Sequence, residues 1–199
     1  LTLSQRALST RDKVLVSAAH VFEQRGYDGA GMAEIILGTG MTRGAVYFHF
    51  ASKADLASAI VDRHQSTWPS LRDAADREGA QGLVAVHHLL ERLSLQLRDD
   101  LVARAAVRLA READRIEADL DSPFDAWSDY IAYRLRQAQL LGQMRRDLDP
   151  VLYAGIVVGM FLGVDEFFSG AATTPFTGGV HRSLDAMWEM VLRGLSVAG

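Results

Sequence analysis

The chain has 199 residues, 49% of them hydrophobic, enough to fill a sizeable core in one or two domains. It holds no cysteine, which excludes a disulfide scaffold, a thiol nucleophile and cysteine-ligated zinc and suits a reducing compartment. A net charge of −4 excludes a protein that coats nucleic acid indiscriminately, but residues 1–53 carry a net +2 and the remainder −6, a pattern that fits DNA contact confined to one end.

Residues 1–9 are polar, with Arg6 (and Arg11 just beyond) within reach of a phosphate backbone. Thr10 to Arg25 reads as an amphipathic helix with Val14, Ala18, Val21 and Phe22 on one stripe, ended by Gly26, with Tyr27 as a core wedge. Met32, Ile35 and Ile36 then give apolar positions at helical spacing, and Gly38-Thr39-Gly40 breaks the run. Thr42 stands where an N-cap belongs. In the short helix that follows, Ala45, Val46, Phe48 and Phe50 are expected inside, with Arg43, Tyr47 and His49 outside. Helix, turn and second helix make a helix-turn-helix, whose second helix enters the DNA major groove. The glycines Gly38, Gly40 and Gly44 also invite a dinucleotide-binding reading. Their spacing is one residue too long for that fingerprint, and no strand-helix-strand pattern follows.

Ser52 and Asp55 form a capping-box-like start for a long helix running from Lys53 to about Arg77, kinked at Pro69 and ended by Glu78-Gly79. Residues 80–98 form an amphipathic helix with Leu83, Val86, Leu90, Leu93 and Leu97 on one face. His87 flanks that face and His88 points away; adjacent helical residues cannot chelate one ion, so no metal site is expected. A shorter helix from Val102 to Arg111 follows, its charges expected as a solvated face. Ser122 as N-cap and Pro123 at the first helical position open the next helix, with Phe124, Trp127, Ile131, Leu135 and Ala138 as its buried stripe. Arg134 falls on the same stripe, where it snorkels outward or serves a polar spot. Gly142 ends this helix.

Asp149-Pro150 opens an apolar helix, Val151 to Val164, expected to be buried on all sides and too short to cross a bilayer, so no membrane partner is expected. Gly155, Gly159 and Gly163 recur every four residues. Each glycine costs a helix about 1 kcal/mol relative to alanine, so the row implies close approach of another helix, within the protomer or across a dimer. Asp165 and Glu166 end the run. After a loop over Ala171–Gly179, the last helix, Val180 to Leu195, stacks Leu184, Met187, Trp188, Val191 and Leu195. No strand-like alternation of useful length appears, so the fold is all-α.

The stretch TRGAVYFHFASKADL (residues 42–56) resembles the recognition-helix signature of the tetracycline-repressor (TetR) family, small dimeric repressors with a DNA-binding end and a ligand-binding body. The pattern is carried by Gly40, Thr42, Gly44, Tyr47, His49, Phe50, Lys53 and Leu56, with Phe22, Gly26 and Tyr27 upstream. Gly38-Thr39 departs from it, standing where the family more often has a helix-favouring residue followed by alanine. The resemblance implies a helix-turn-helix domain over 1–56 and a ligand-binding and dimerisation domain over 57–199. In the head it implies DNA contacts by Thr42, Arg43, Gly44, Ala45, Tyr47, His49 and Lys53, with Arg43 the candidate for a base edge and Thr42, Tyr47, His49 and Lys53 for phosphates.

In the body, the last two helices would pair across a two-fold axis, placing Gly155, Gly159, Gly163, Leu184, Trp188 and Val191 at the dimer interface. Within the family the head, Trp127 and the ending MWEMVLRG (Met187 to Gly194) resemble the γ-butyrolactone-receptor branch, which senses small signalling lactones and represses secondary-metabolite genes. That implies a small-molecule effector pocket lined by Trp127, with His64 and Gln65 as hydrogen-bonding groups and His87, Met160 and Phe161 as walls. The expected partners are therefore an operator duplex, a small-molecule effector and a second copy of the chain, in the cytoplasm, with no cofactor. No G-x-S-x-G elbow, H-E-x-x-H pair or P-loop suggests an enzyme. Two alternatives stand beside this reading: a TetR-type repressor of efflux or catabolic genes sensing another apolar molecule, and a helical protein-binding adaptor that does not touch DNA.

Overall fold

The computed structural model describes residues 10–76, 79–169 and 179–196, and every regular element among them is helical. In chain order these are α1 (Thr10–Gly29), α2 (Met32–Thr39), α3 (Arg43–His49), α4 (Lys53–Gln65), α5 (Trp68–Ala75), α6 (Leu83–Asp99), α7 (Leu101–Arg111), α8 (Pro123–Leu140), α9 (Pro150–Ser169) and α10 (Gly179–Leu195). Residues 1–9, Glu78 and residues 171–178 of the expected loop lie outside the described residues. The chain forms two compact units, Leu1–Thr67 with Leu97–Pro123, and Trp68–Gln96 with Phe124–Gly199. The boundary expected at Leu56 falls inside α4.

The first unit is built on α1, whose stripe Val14, Leu15, Ala18, Ala19, Val21 and Phe22 is buried. Against it pack α2, α4 and α7. Leu56, Ala57, Ile60 and Val61 come from α4, Val102, Ala105, Ala106 and Leu109 from α7, Ile35 and Val46 from the two short helices, and Phe50 from the position just after α3. Gly26 adopts φ 69° and ψ −175°, a left-handed conformation that breaks α1 and turns the chain toward α2. The long helix expected from Lys53 is two helices. α4 starts on a complete capping box between Ser52 and Asp55 and stops at Gln65. There Thr67 Oγ1 donates to the His64 carbonyl at 2.7 Å and Ser66 Oγ to the Arg63 carbonyl at 2.7 Å. Pro69, which has no N–H to give, then sits in the first turn of α5, where none is required.

In the second unit, Val86, Leu89, Leu90 and Leu93 of α6, Trp127, Ile131, Leu135 and Ala138 of α8, Ala154, Val157, Val158 and Phe161 of α9, and Leu184, Met187, Trp188 and Leu195 of α10 are buried. α9 and α10 pack on one another. The expectation for α9 needs correction in two respects. The helix runs on through Asp165 and Glu166 to Ser169, so by length and composition its Pro150–Phe167 window is long and apolar enough to cross a bilayer. Nor is it buried on all sides, since Val151, Leu152, Ile156 and Phe167 are 43–60% exposed. An apolar stripe in a sequence declares only that something covers it; here Val151, Leu152 and Ile156 leave one face of α9 exposed among the described residues.

Candidate functional site

The turn between α2 and α3 is locked by local bonds. Gly40 takes φ 67° and ψ 14°, with its N–H donating to the Leu37 carbonyl at 3.2 Å. Thr39 Oγ1 donates to the Ile36 carbonyl at 2.7 Å and accepts from the Met41 N–H at 3.0 Å. The unusual Gly38 has its own reason: an added Cβ would fall on Ser17 Oγ, which donates to the Ile35 carbonyl at 2.8 Å and ties α1 to α2. Thr42 caps α3 by accepting from the Ala45 N–H at 3.3 Å.

α3 buries Val46, and Phe50 follows it into the core. Thr42, Arg43 and Gly44 are exposed, while Ala45, Tyr47 and His49 are half-buried. The Arg43 guanidinium lies 5.3 Å from the Tyr47 ring centre. Phe48, expected inside, is 85% exposed. Two residues beyond Val46 is 200° around a helix, so the two cannot share a face. Its ring meets that of His49 edge-on at 5.3 Å. It is a surface residue that the sequence reading missed, and counting turns from Val46 would have found it.

Lys53 faces inward. Its ammonium donates to the carbonyls of Tyr27 at 2.8 Å and Ala30 at 3.2 Å and sits 4.2 Å from the Tyr27 ring centre. Two of its three donors thus hold the α1–α2 turn.

In the second unit Trp127 is 2% exposed, with the rings of Phe124 at 5.6 Å and Phe161 at 6.2 Å on an edge-on footing. Phe161 is buried and Met160 half-buried. His87 stacks on Trp188 at 5.5 Å and approaches Glu91 at 3.9 Å, beside a small cleft lined also by Leu90, Leu184 and Met187. His64 and Gln65 are not grouped with these residues but belong to the first unit. There burial pushes the His64 imidazole below its usual pKa, opposed by the charge of Asp100, and Gln65 Nε2 donates to the Asp121 carbonyl at 2.6 Å. Arg134 does not snorkel. It is 8% exposed and bonded to Asp76 and to Gln137 Oε1, the latter at 2.9 Å. Asp76 also accepts from the Tyr130 hydroxyl. Burial first, then this bond, pushes the Tyr130 phenol up to about 12. Among the described residues no group of three His, Asp or Glu side chains is placed to hold a metal ion.

The glycine row of α9 is exposed, and a Cβ added at Gly155, Gly159 or Gly163 would meet nothing within 4 Å among the described residues. Tight packing against those residues is therefore not the reason for it. Leu184, Trp188 and Val191, expected on the dimer face, are instead 7–9% exposed within the protomer. That stripe of α10 is the one the protomer itself covers; the outer side presents Asp185, Glu189, Met190 and Arg193.

Residues 14–60, which hold α1 to α4 apart from the first residues of α1 and the last of α4, match the profile of bacterial regulatory proteins of the tetR family. Residues 80–197 match the tetracyclin repressor-like C-terminal domain. The chain belongs to the TetR family. It is 32% identical to the A-factor receptor protein of Streptomyces griseus over 98% of its own length, and spans 66% of the length of that relative. Among solved structures, this TetR-family chain is similar to a γ-butyrolactone receptor described as ArpA-like, with 30% identity and a TM-score of 0.80, covering 94% of this chain and 88% of that one. It is also similar to CprB of Streptomyces coelicolor in complex with its biological operator sequence, with 31% identity and a TM-score of 0.81, covering 96% and 90% of the two chains.

Proposed function

We propose that this TetR-family protein is a ligand-responsive transcriptional repressor of the cytoplasm that binds a near-palindromic operator as a homodimer and releases it when a γ-butyrolactone-like autoregulator occupies its body. In this reading residues 1–56 read DNA and residues 57–199 bind the effector and dimerise; the protein is not an enzyme. The observation that carries the reading is the outer face of α3. A seven-residue helix, capped by Thr42 and joined to α2 by a locked turn, turns Arg43 and Phe48 outward and leaves them out of the core. Likeness to the A-factor receptor along almost the whole chain supports the choice of effector class.

Arg43 is assigned to a base edge, bidentate to guanine, and Thr42, Tyr47, His49 and the remaining donor of Lys53 to phosphates, with Gly44 and Ala45 allowing close approach. Trp127, Phe161, Met160 and His87 are assigned to the effector, as an apolar lining with two polar groups. His64 and Gln65 belong to the first unit and are left out of this assignment. The dimer face is assigned to Gly155, Gly159 and Gly163 with their exposed apolar neighbours on α9. An isologous pair sets two α3 helices about 34–36 Å apart, or a multiple of that, to match a two-fold site. Selection of duplexes from a random pool by the full chain, followed by mobility shift at rising salt, tests the reading. A repressor enriches one near-palindromic sequence and its binding weakens steeply with salt; an adaptor or an enzyme enriches none.

A further inference from the structure

α7 was expected to present its charges to solvent, yet Arg104, Arg108 and Glu112 recur at four-residue spacing on one stripe and all three engage α1 or each other. Arg104 Nε lies 3.3 Å from Glu23 Oε1. Arg108 Nη1 donates to the Glu23 carbonyl at 2.7 Å, and its Nε to Glu112 Oε1 at 3.2 Å. The other Glu112 oxygen accepts the Tyr27 N–H at 2.6 Å.

These bonds replace one that α1 has given up. In an uninterrupted helix the Tyr27 N–H donates to the Glu23 carbonyl four residues back. With Gly26 at φ 69° the ladder breaks, and both orphaned groups are taken by α7, the carbonyl by Arg108 and the N–H by Glu112. The Glu112 carboxylate occupies the space a side chain at position 26 would need, 2.5 Å from an added Cβ. On its other side the same turn is held by Lys53 through the Tyr27 and Ala30 carbonyls, and Arg115 approaches Asp28 at 3.6 Å. The turn leads directly into α2, whose N-cap Gly31 makes no side-chain capping bond, so the direction of α2 is set by the turn at its start together with the Ser17–Ile35 tie further along.

We infer that Glu112 is a positioning residue for DNA reading: its grip on the Tyr27 N–H fixes the angle at which α2 and α3 leave α1, and hence the pose of the reading helix. This rests on the DNA-reading function proposed above. It adds a residue far from α3 in sequence whose loss misdirects the reader without unfolding the head, because the apolar core around Phe22, Leu56 and Leu109 is untouched.

The test uses the full-length protein, the duplex it selects from a random pool, and amide hydrogen exchange without DNA. In Glu112→Ala the Tyr27 amide should exchange at least about tenfold faster, and affinity for the selected duplex should fall about tenfold while affinity for random duplex stays level; a charge-assisted hydrogen bond to a backbone N–H is worth a factor of this order. Glu112→Gln keeps an acceptor for the N–H and should recover affinity to within about threefold of wild type. Unchanged Tyr27 exchange in Glu112→Ala, or faster exchange with unchanged operator affinity, overturns the inference. Equal loss on selected and random duplexes together with a collapsed melting temperature also overturns it, marking Glu112 as general support. If the wild-type chain selects no duplex while Glu112→Ala still accelerates Tyr27 exchange, the DNA reading fails and Glu112 is only the fastening of a turn.

Discussion

At the scale of single residues, α3 divides its labour by geometry. Arg43 sits at the start of the helix with its guanidinium 5.3 Å from the Tyr47 ring centre, a cation–π contact that restrains a planar donor pair. Arg43→Ala should relax discrimination at one base pair by ~1–3 kcal/mol while leaving random duplex bound as before, read by competition between single-base variants of the operator. Equal loss on specific and random DNA would reassign it to a phosphate. Phe48 offers a large apolar ring to solvent; in the proposed reading the groove of the duplex shields it, and apolar contact with a thymine methyl is the recognition such a ring supplies. Phe48→Ala should therefore weaken operators with thymine at one position more than those with uracil there, which lacks the methyl; the same loss on both would contradict that assignment. Trp127, buried between Phe124 and Phe161, is assigned to the effector. Trp127→Ala should stay dimeric and bind operator but ignore a γ-butyrolactone. If Trp127 is only core, its truncation should cost ~3–5 kcal/mol of stability and operator binding should fall with it.

At the scale of elements, local chemistry was legible and the covering of apolar faces was not. The α2–α3 turn, the Thr42 cap and the Ser52–Asp55 box are contacts between residues two or three apart, so the sequence displays both partners at once. Phe48 was misplaced because an apolar residue two positions beyond Val46 was assigned by type rather than by its angle around the helix. The stripes of α9 and α10 were found, but not which neighbour covers each. The protomer buries Leu184, Trp188 and Val191 and leaves Leu152, Ile156 and the glycines of α9 outside. The Arg104–Arg108–Glu112 stripe shows the converse: charges at helical spacing look solvated until the tertiary partner, here a broken turn of α1, is known. The glycine row then makes a sharper prediction than the sequence allowed. Gly159→Leu adds a side chain whose Cβ meets nothing among the described residues of the protomer, so the monomer should melt normally while sedimentation shows the dimer split. A stable dimer carrying Gly159→Leu would remove α9 from the interface.

At the scale of the molecule, the proposed function makes effector binding a choice between an operator-bound and a released state of the dimer. A roughly hundredfold loss of operator affinity needs only ~2.7 kcal/mol of difference in effector affinity between the two states, within the ordinary range of allosteric coupling. Thermodynamic reciprocity adds that operator must weaken effector binding by the same factor. The most direct test is a fluorescence-anisotropy titration of the wild-type protein on its selected operator, with and without a γ-butyrolactone such as A-factor at fixed salt. The expected result is tight, sequence-dependent binding without the lactone and release on its addition, with a random duplex unaffected. Operator binding that is indifferent to the lactone at every concentration would contradict the proposed effector class, and no sequence-dependent binding at all would contradict the repressor itself.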